Sequence, residues 1–235
     1  MRIGVAIPTI RPGMTAGHIV AFARAAEERG FGSLAVAGRV VHDSYEPLVA
    51  MSLALAATRR VELVTHVLAG PILHQGALAC QATSLSRAGG GRLTIGVGAD
   101  ASYPMRDAAG IVCAHLAELG RRPALVAGDP QVAACVLAVT GKGWVMTSGT
   151  AVDFAAGFRA VQESWTRARR PGLPRGIALV QPDAGTDVLR DRLHAFELAG
   201  ADDVLIDPGT HDLGQLDRIA DAVLTGSTSR VPALA

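Results

Sequence analysis

The stretch LSRAGGGRLTIGVGAD, residues 85–100, decides how the rest of the chain is read. Five glycines fall between Gly89 and Gly98. Glycine is costly inside a helix or strand, so such a cluster marks bends and close backbone approach. Gly89 to Gly91 turn the chain, and RLTIGVGA (92–99) continues as a short, nearly unbroken apolar run. A run of that kind fits a strand buried on both faces, as parallel strands are. Gly96 and Gly98 then thin the end of this strand, where a ligand is expected to lie.

The same unit recurs along the chain. Apolar runs read RIGVAIPT (2–9), SLAVAG (33–38), VELVTHVLAG (61–70), RLTIGVGA (92–99), PALVAGD (123–129), GWVMTSG (143–149), GIALVQP (176–182) and DDVLIDPG (202–209). Ala-rich stretches of helical spacing lie between them; Ile19, Phe22, Ala23 and Ala26 mark one apolar face. Thr15 and Gly30 punctuate the first helix, and Thr150 with Asp153 opens the sixth in the manner of a capping box. Eight alternations of β and α predict a compact (β/α)8 TIM barrel spanning residues 1–235 as a single domain. An open doubly wound sheet rarely needs all eight units.

Bulk composition narrows the function. Hydrophobic residues make up 49% and charged ones 18% of 235 residues, which describes a buried-sheet globular enzyme. The net charge of +1 gives no reason to expect nucleic acid or an anionic membrane as partner. No apolar run approaches the length of a membrane span, and Pro8 and Pro12 interrupt the N-terminal one. Three cysteines without CxxC spacing are expected to be buried, reduced thiols of a cytoplasmic protein.

In barrels of this type chemistry collects at the C-terminal ends of the strands. Four histidines fall there: His42, His66, His74 and His211. An imidazole can transfer protons near neutral pH, so His42 and His66 are the catalytic candidates. His66 stands out, because a polar side chain inside VELVTHVLAG needs a partner or a ligand. Arg39, His74, Thr147 and Asp207 at other strand ends are the substrate-side candidates. No HxH or HExxH spacing appears, so no metal is expected. GxSxG is absent, and the lone lysine, Lys142, does not lie at a strand's C-terminal end. Asp129 after the fifth strand reads as a helix cap that already supplies the negative charge there.

The segments GFGSLAVAG (30–38), residues 45–100 and GWV (143–145) together resemble the bacterial luciferase-like flavin monooxygenases and their deazaflavin (F420)-dependent relatives. The resemblance is clearest from Phe31 to Asp100, and PALVAGD and residues 200–223 are similar to that family's later strands and last helix. It implies FMN or F420 at the strand ends of a TIM barrel, a small organic substrate and a homodimer. It also implies a non-proline cis peptide at His66–Val67, bulging the third strand behind the ring. Thr65, Val67, Gly96 and Gly98 would border the cofactor, with Gly128 near its phosphate. The chain departs from the family pattern in four places. Gly38 and Arg39 stand where many relatives have Asp-His, and His66 where a small residue is expected. Asp129 and Pro130 occupy the phosphate loop, and the usual long insertion after the fourth strand shrinks to residues 101–122.

Three functions follow. The first is a flavin- or F420-dependent oxidoreductase, by monooxygenation or hydride transfer. The second is a barrel enzyme that works without the cofactor, an isomerase, cyclase or lyase. The third is a non-catalytic homologue.

Overall fold

Each apolar run pairs with the next along the chain, and the last pairs with the first. The computed structural model describes residues 1–11, 13–38, 44–69, 77–98, 105–119, 124–181 and 186–224. Its elements are β1 (Arg2–Ile7), α1 (Ala16–Arg29), β2 (Ser33–Gly38), α2 (Pro47–Ala57), β3 (Glu62–Ala69), α3 (Ala77–Ala88), β4 (Leu93–Gly98) and α4 (Met105–Leu119). Then come β5 (Ala124–Ala127), α5 (Pro130–Leu137), β6 (Gly143–Met146), α6 (Ala151–Arg167), β7 (Arg175–Val180), α7 (Thr186–Leu198), β8 (Asp203–Ile206) and α8 (Leu213–Val223). The strands are parallel and close into a barrel in chain order, so the expected TIM barrel is the architecture observed.

Strand alternation explains why both faces are apolar. Ala6, Ala35, Val64, Leu125, Val145, Ile177 and Leu205 fill the inside of the ring. Their neighbours Leu34, Leu63, Ile95, Val126, Trp144 and Val204 point out and pack beneath the helices. A barrel interior filled this way is a packed core, which leaves room for a site only at its rims.

The N-terminal rim is closed by charge. Arg175 donates to both oxygens of Glu62 at 2.8 and 2.9 Å and to Asp203 at 2.7 Å. Arg2 reaches Asp203 at 2.7 Å and Glu62 at 3.0 Å, and the Thr94 hydroxyl donates to Glu62 at 2.6 Å. Burial pushes the Glu62 carboxyl up, but the Arg175 hydrogen bonds and charge outweigh it and hold the group below its ordinary range. These residues stand at or near the starts of five strands, so the network ties β1, β3, β4, β7 and β8 in register across the barrel floor.

Local signals set the helix ends. The Thr15 hydroxyl accepts from the His18 N–H and the Thr15 N–H donates back to the His18 Nδ1, capping α1, while Gly30 leaves the helix in the left-handed region at φ 94°. Thr150 and Asp153 form the expected capping box on α6, and Asp129 caps α5. Gly90 and Gly91 take φ of 59° and 85°, the turn into β4 that the triplet implies. One expectation fails. Cys80 and Cys135 are exposed and Cys113 half-buried, because the apolar faces of α3 and α5 run through Leu78, Ala82 and Leu85 and through Val132, Ala133 and Val136 instead.

Candidate active site

The C-terminal end of β3 carries an irregularity that organises the rim. Between Val36 and Ala37 β2 advances one residue while β3 advances from Thr65 to Val67. On the other side β3 runs from Thr65 to Leu68 while β4 runs only from Ile95 to Val97. His66 is therefore the extra residue of a β-bulge. The Thr65 hydroxyl repairs the ladder: it accepts from the Gly96 N–H at 2.9 Å and donates to the Gly96 carbonyl at 3.2 Å. A Cβ at Gly96 would overlap the Thr65 carbonyl oxygen and crowd that of His66 at 3.3 Å. The missing side chain at 96 thus makes room for the bulge itself.

The bulge forms without the expected cis bond. No peptide bond among the described residues is cis, so His66–Val67 is trans. Setting two residues against one shifts the register without inverting a peptide plane, and that suffices to project His66.

His66 is buried at 8% exposure, and its Nδ1 has no hydrogen-bond partner. Burial lowers its pKa to about 4, while the Asp207 carboxylate opposes that shift. Near neutral pH the ring is therefore uncharged, and its Nδ1 is available to a ligand as donor or acceptor according to tautomer. A group in this state positions and accepts hydrogen bonds better than it donates a proton as an imidazolium.

Two further unpartnered polar atoms belong to the same rim. Thr9 follows β1 at 0% exposure with its Oγ1 unpaired, and the buried Nε of Arg11 has no acceptor. The Arg11 Nη2 comes within 3.8 Å of where a Cβ on Gly209 would stand, which places the guanidinium against the loop after β8. Asp207 lies in that loop, half-buried, with its Oδ1 accepting from the Gly209 N–H at 2.9 Å. Sequence reading missed Thr9 and Arg11. Their only signal was two hydrogen-bonding residues just past the first strand in IPTIRP (7–12).

The other candidates are distributed around this centre. Thr65, His66, Val67 and Gly96 gather at the bulge, and Gly98 pairs with Ala69 at the end of β4. Thr147 follows β6, partly exposed. Gly128 has both backbone groups engaged, its N–H with the Val145 carbonyl at 3.0 Å and its carbonyl with the Trp144 indole at 2.9 Å. Beside it Asp129 accepts from the Gln131 and Val132 N–H groups, filling the end of α5 with its own carboxylate. His211 stacks on His18 with ring centroids 4.5 Å apart. Arg39, His42 and His74 lie outside the described residues. Among the described residues no group of three or more His, Cys, Asp or Glu could hold a metal ion, and no helix is long and apolar enough to cross a membrane.

The family model described as luciferase-like monooxygenase matches residues 1–127, more than half of the chain and the part that includes β1 to β5. The chain belongs to the luciferase-like monooxygenase family. Several solved structures share its fold over most of its length. The monooxygenase RslO1 from Streptomyces bottropensis is 14% identical with a TM-score of 0.78, covering 96% of this chain and 99% of its own. An F420-dependent secondary alcohol dehydrogenase, solved with an F420-acetone adduct, is 14% identical with a TM-score of 0.80 over 96% and 99%. The coenzyme F420 dependent tetrahydromethanopterin reductase from Methanopyrus kandleri is 12% identical with a TM-score of 0.72 over 96% and 99%. No curated protein matches the chain.

Proposed function

We propose that this luciferase-like chain is an oxidoreductase that binds FMN or F420 against the β3 bulge and acts on a small organic substrate. The observation that carries the reading is the bulge, where Thr65 and Gly96 lock an extra residue and leave the Nδ1 of buried His66 unpartnered. An unpaired buried polar atom at this strand-end rim fits a planar ring that offers both apolar faces and hydrogen-bonding edges. Thr65, Val67, Gly96 and Gly98 would hold that ring. When bound, the cofactor supplies hydride or oxygen chemistry, and the protein supplies orientation.

The chain's own residues then divide the work. His66, kept neutral by burial, would fix the ring or the substrate through one nitrogen. Asp207 across the rim favours any protonation His66 undergoes, so the pair can hold a proton transiently at the imidazole. Thr147 and the strand-end residues Arg39, His42 and His74 would complete the substrate side.

Support for a cofactor-free barrel comes from the helix ends. Asp129, Asp153 and Asp212 place their own carboxylates at the N-termini of α5, α6 and α8, where a phosphate would otherwise be favoured. Fluorescence titration of the full chain with FMN and with F420 separates the two readings. A saturable, one-site quench by either cofactor is expected. No quench by either at high concentration would overturn cofactor binding and leave the cofactor-free barrel.

A further inference from the structure

We propose that Arg11, with Thr9 beside it, is a receptor for a carboxylate carried by the substrate, an inference that rests on the oxidoreductase reading of the same rim. Three other half-buried arginines each have several acceptors. Arg92 donates to the Gly89, Val61 and Thr58 carbonyls, Arg170 to those of Leu137, Thr140 and Gly141, and Arg175 to Glu62 and Asp203. Arg11 is different. Its Nε is buried without an acceptor, and among the described residues its guanidinium makes no ion pair. Guanidinium cannot shed its charge, so this donor stays unmet until an acceptor arrives.

The neighbouring chemistry selects the acceptor. Thr9, at 0% exposure, adds a hydroxyl that also lacks a partner, two residues from Arg11 at the same strand end. The guanidinium faces Gly209, in the loop between β8 and α8. That loop already carries two carboxylates, Asp207 bonded to the Gly209 N–H and Asp212 capping α8. A doubly charged phosphate would be repelled by that loop more strongly than a single charge. A planar monoanion with two acceptor oxygens matches the guanidinium fork with half the repulsion. His66, uncharged, adds no cation to favour phosphate.

The test is isothermal titration of the full chain with benzoate, its uncharged isostere benzamide, and inorganic phosphate. Benzoate is expected to bind saturably and benzamide about tenfold or more weakly, as loss of a charge-assisted bidentate contact requires. Arg11→Gln is expected to abolish that preference, Arg11→Lys to restore part of it, and Thr9→Val to weaken benzoate severalfold. Equal binding of benzoate and benzamide, no binding of either, or preference for phosphate would overturn the proposal. Should Arg11→Gln fail to fold, the Arg11→Lys and Thr9→Val titrations decide it in the same way. The cofactor titration is read separately: FMN or F420 quenching without a benzoate preference sinks only the carboxylate receptor, whereas absent quenching sinks the cofactor reading beneath it.

Discussion

Two residues, His66 and Gly96, show how a single position can shape the rim. His66 is buried and its pKa depressed to about 4, below the ordinary 6.5. The sign of the consequence is direct. Above pH 6.5 both folded and unfolded histidine are neutral; between 6.5 and 4 the unfolded chain takes a proton that the folded one refuses. Stability is therefore complete above pH 6.5 and lost as pH falls, by about 3 kcal/mol on reaching pH 4. Urea midpoints across that range should show the fall in the wild type and a flatter profile in His66→Asn. Identical slopes would mean that His66 is not the buried neutral group described. Gly96→Ala would press a methyl into the Thr65 carbonyl. It should destabilise by about 1–3 kcal/mol, read as a lower urea midpoint. An unchanged midpoint would show that the bulge is not packed as tightly as described.

At the scale of elements, β3 is where sequence and structure part company most usefully. VELVTHVLAG reads as a strand with one misplaced polar residue, and the histidine is indeed the residue that bulges out. The bulge is legible only through the family resemblance, because register is a property of a strand and its two partners and no single run contains it. The sequence marks Thr65 as a cofactor-side residue, and the structure adds that its hydroxyl bonds the Gly96 backbone. Thr65→Val would leave two backbone groups of β4 short of a partner. A loss of about 1–3 kcal/mol is expected, with faster amide exchange at Gly96. Wild-type exchange there would contradict the repair role. Helix caps were far more legible, since Thr15, Asp129 and Thr150 act within three residues of themselves. Arg11 was illegible for the opposite reason: only the loop after β8, far along the chain, shows that it is not simply solvated.

Across the whole molecule, eight apolar runs separated by helices were enough to foresee a closed ring, because two-sided burial leaves strands little else to do. The charged floor was not foreseen, since Arg2, Glu62, Arg175 and Asp203 look like the polar edges of separate strands until closure brings them together. Asp203→Ala would strip an anchor from both Arg2 and Arg175. It should cost about 3 kcal/mol with little change in cofactor affinity, because the floor and the site lie at opposite ends of the barrel. The molecule is thus divided between a stabilising floor and a rim proposed to be functional. The most direct measurement is a crystal structure of the full chain grown with FMN or with F420. The ring is expected at the C-terminal rim, against the backbone of Thr65 to Val67 and within hydrogen-bond reach of His66 Nδ1. A ring bound elsewhere on the barrel, or His66 turned away from it, would rule out the β3 bulge as the cofactor site.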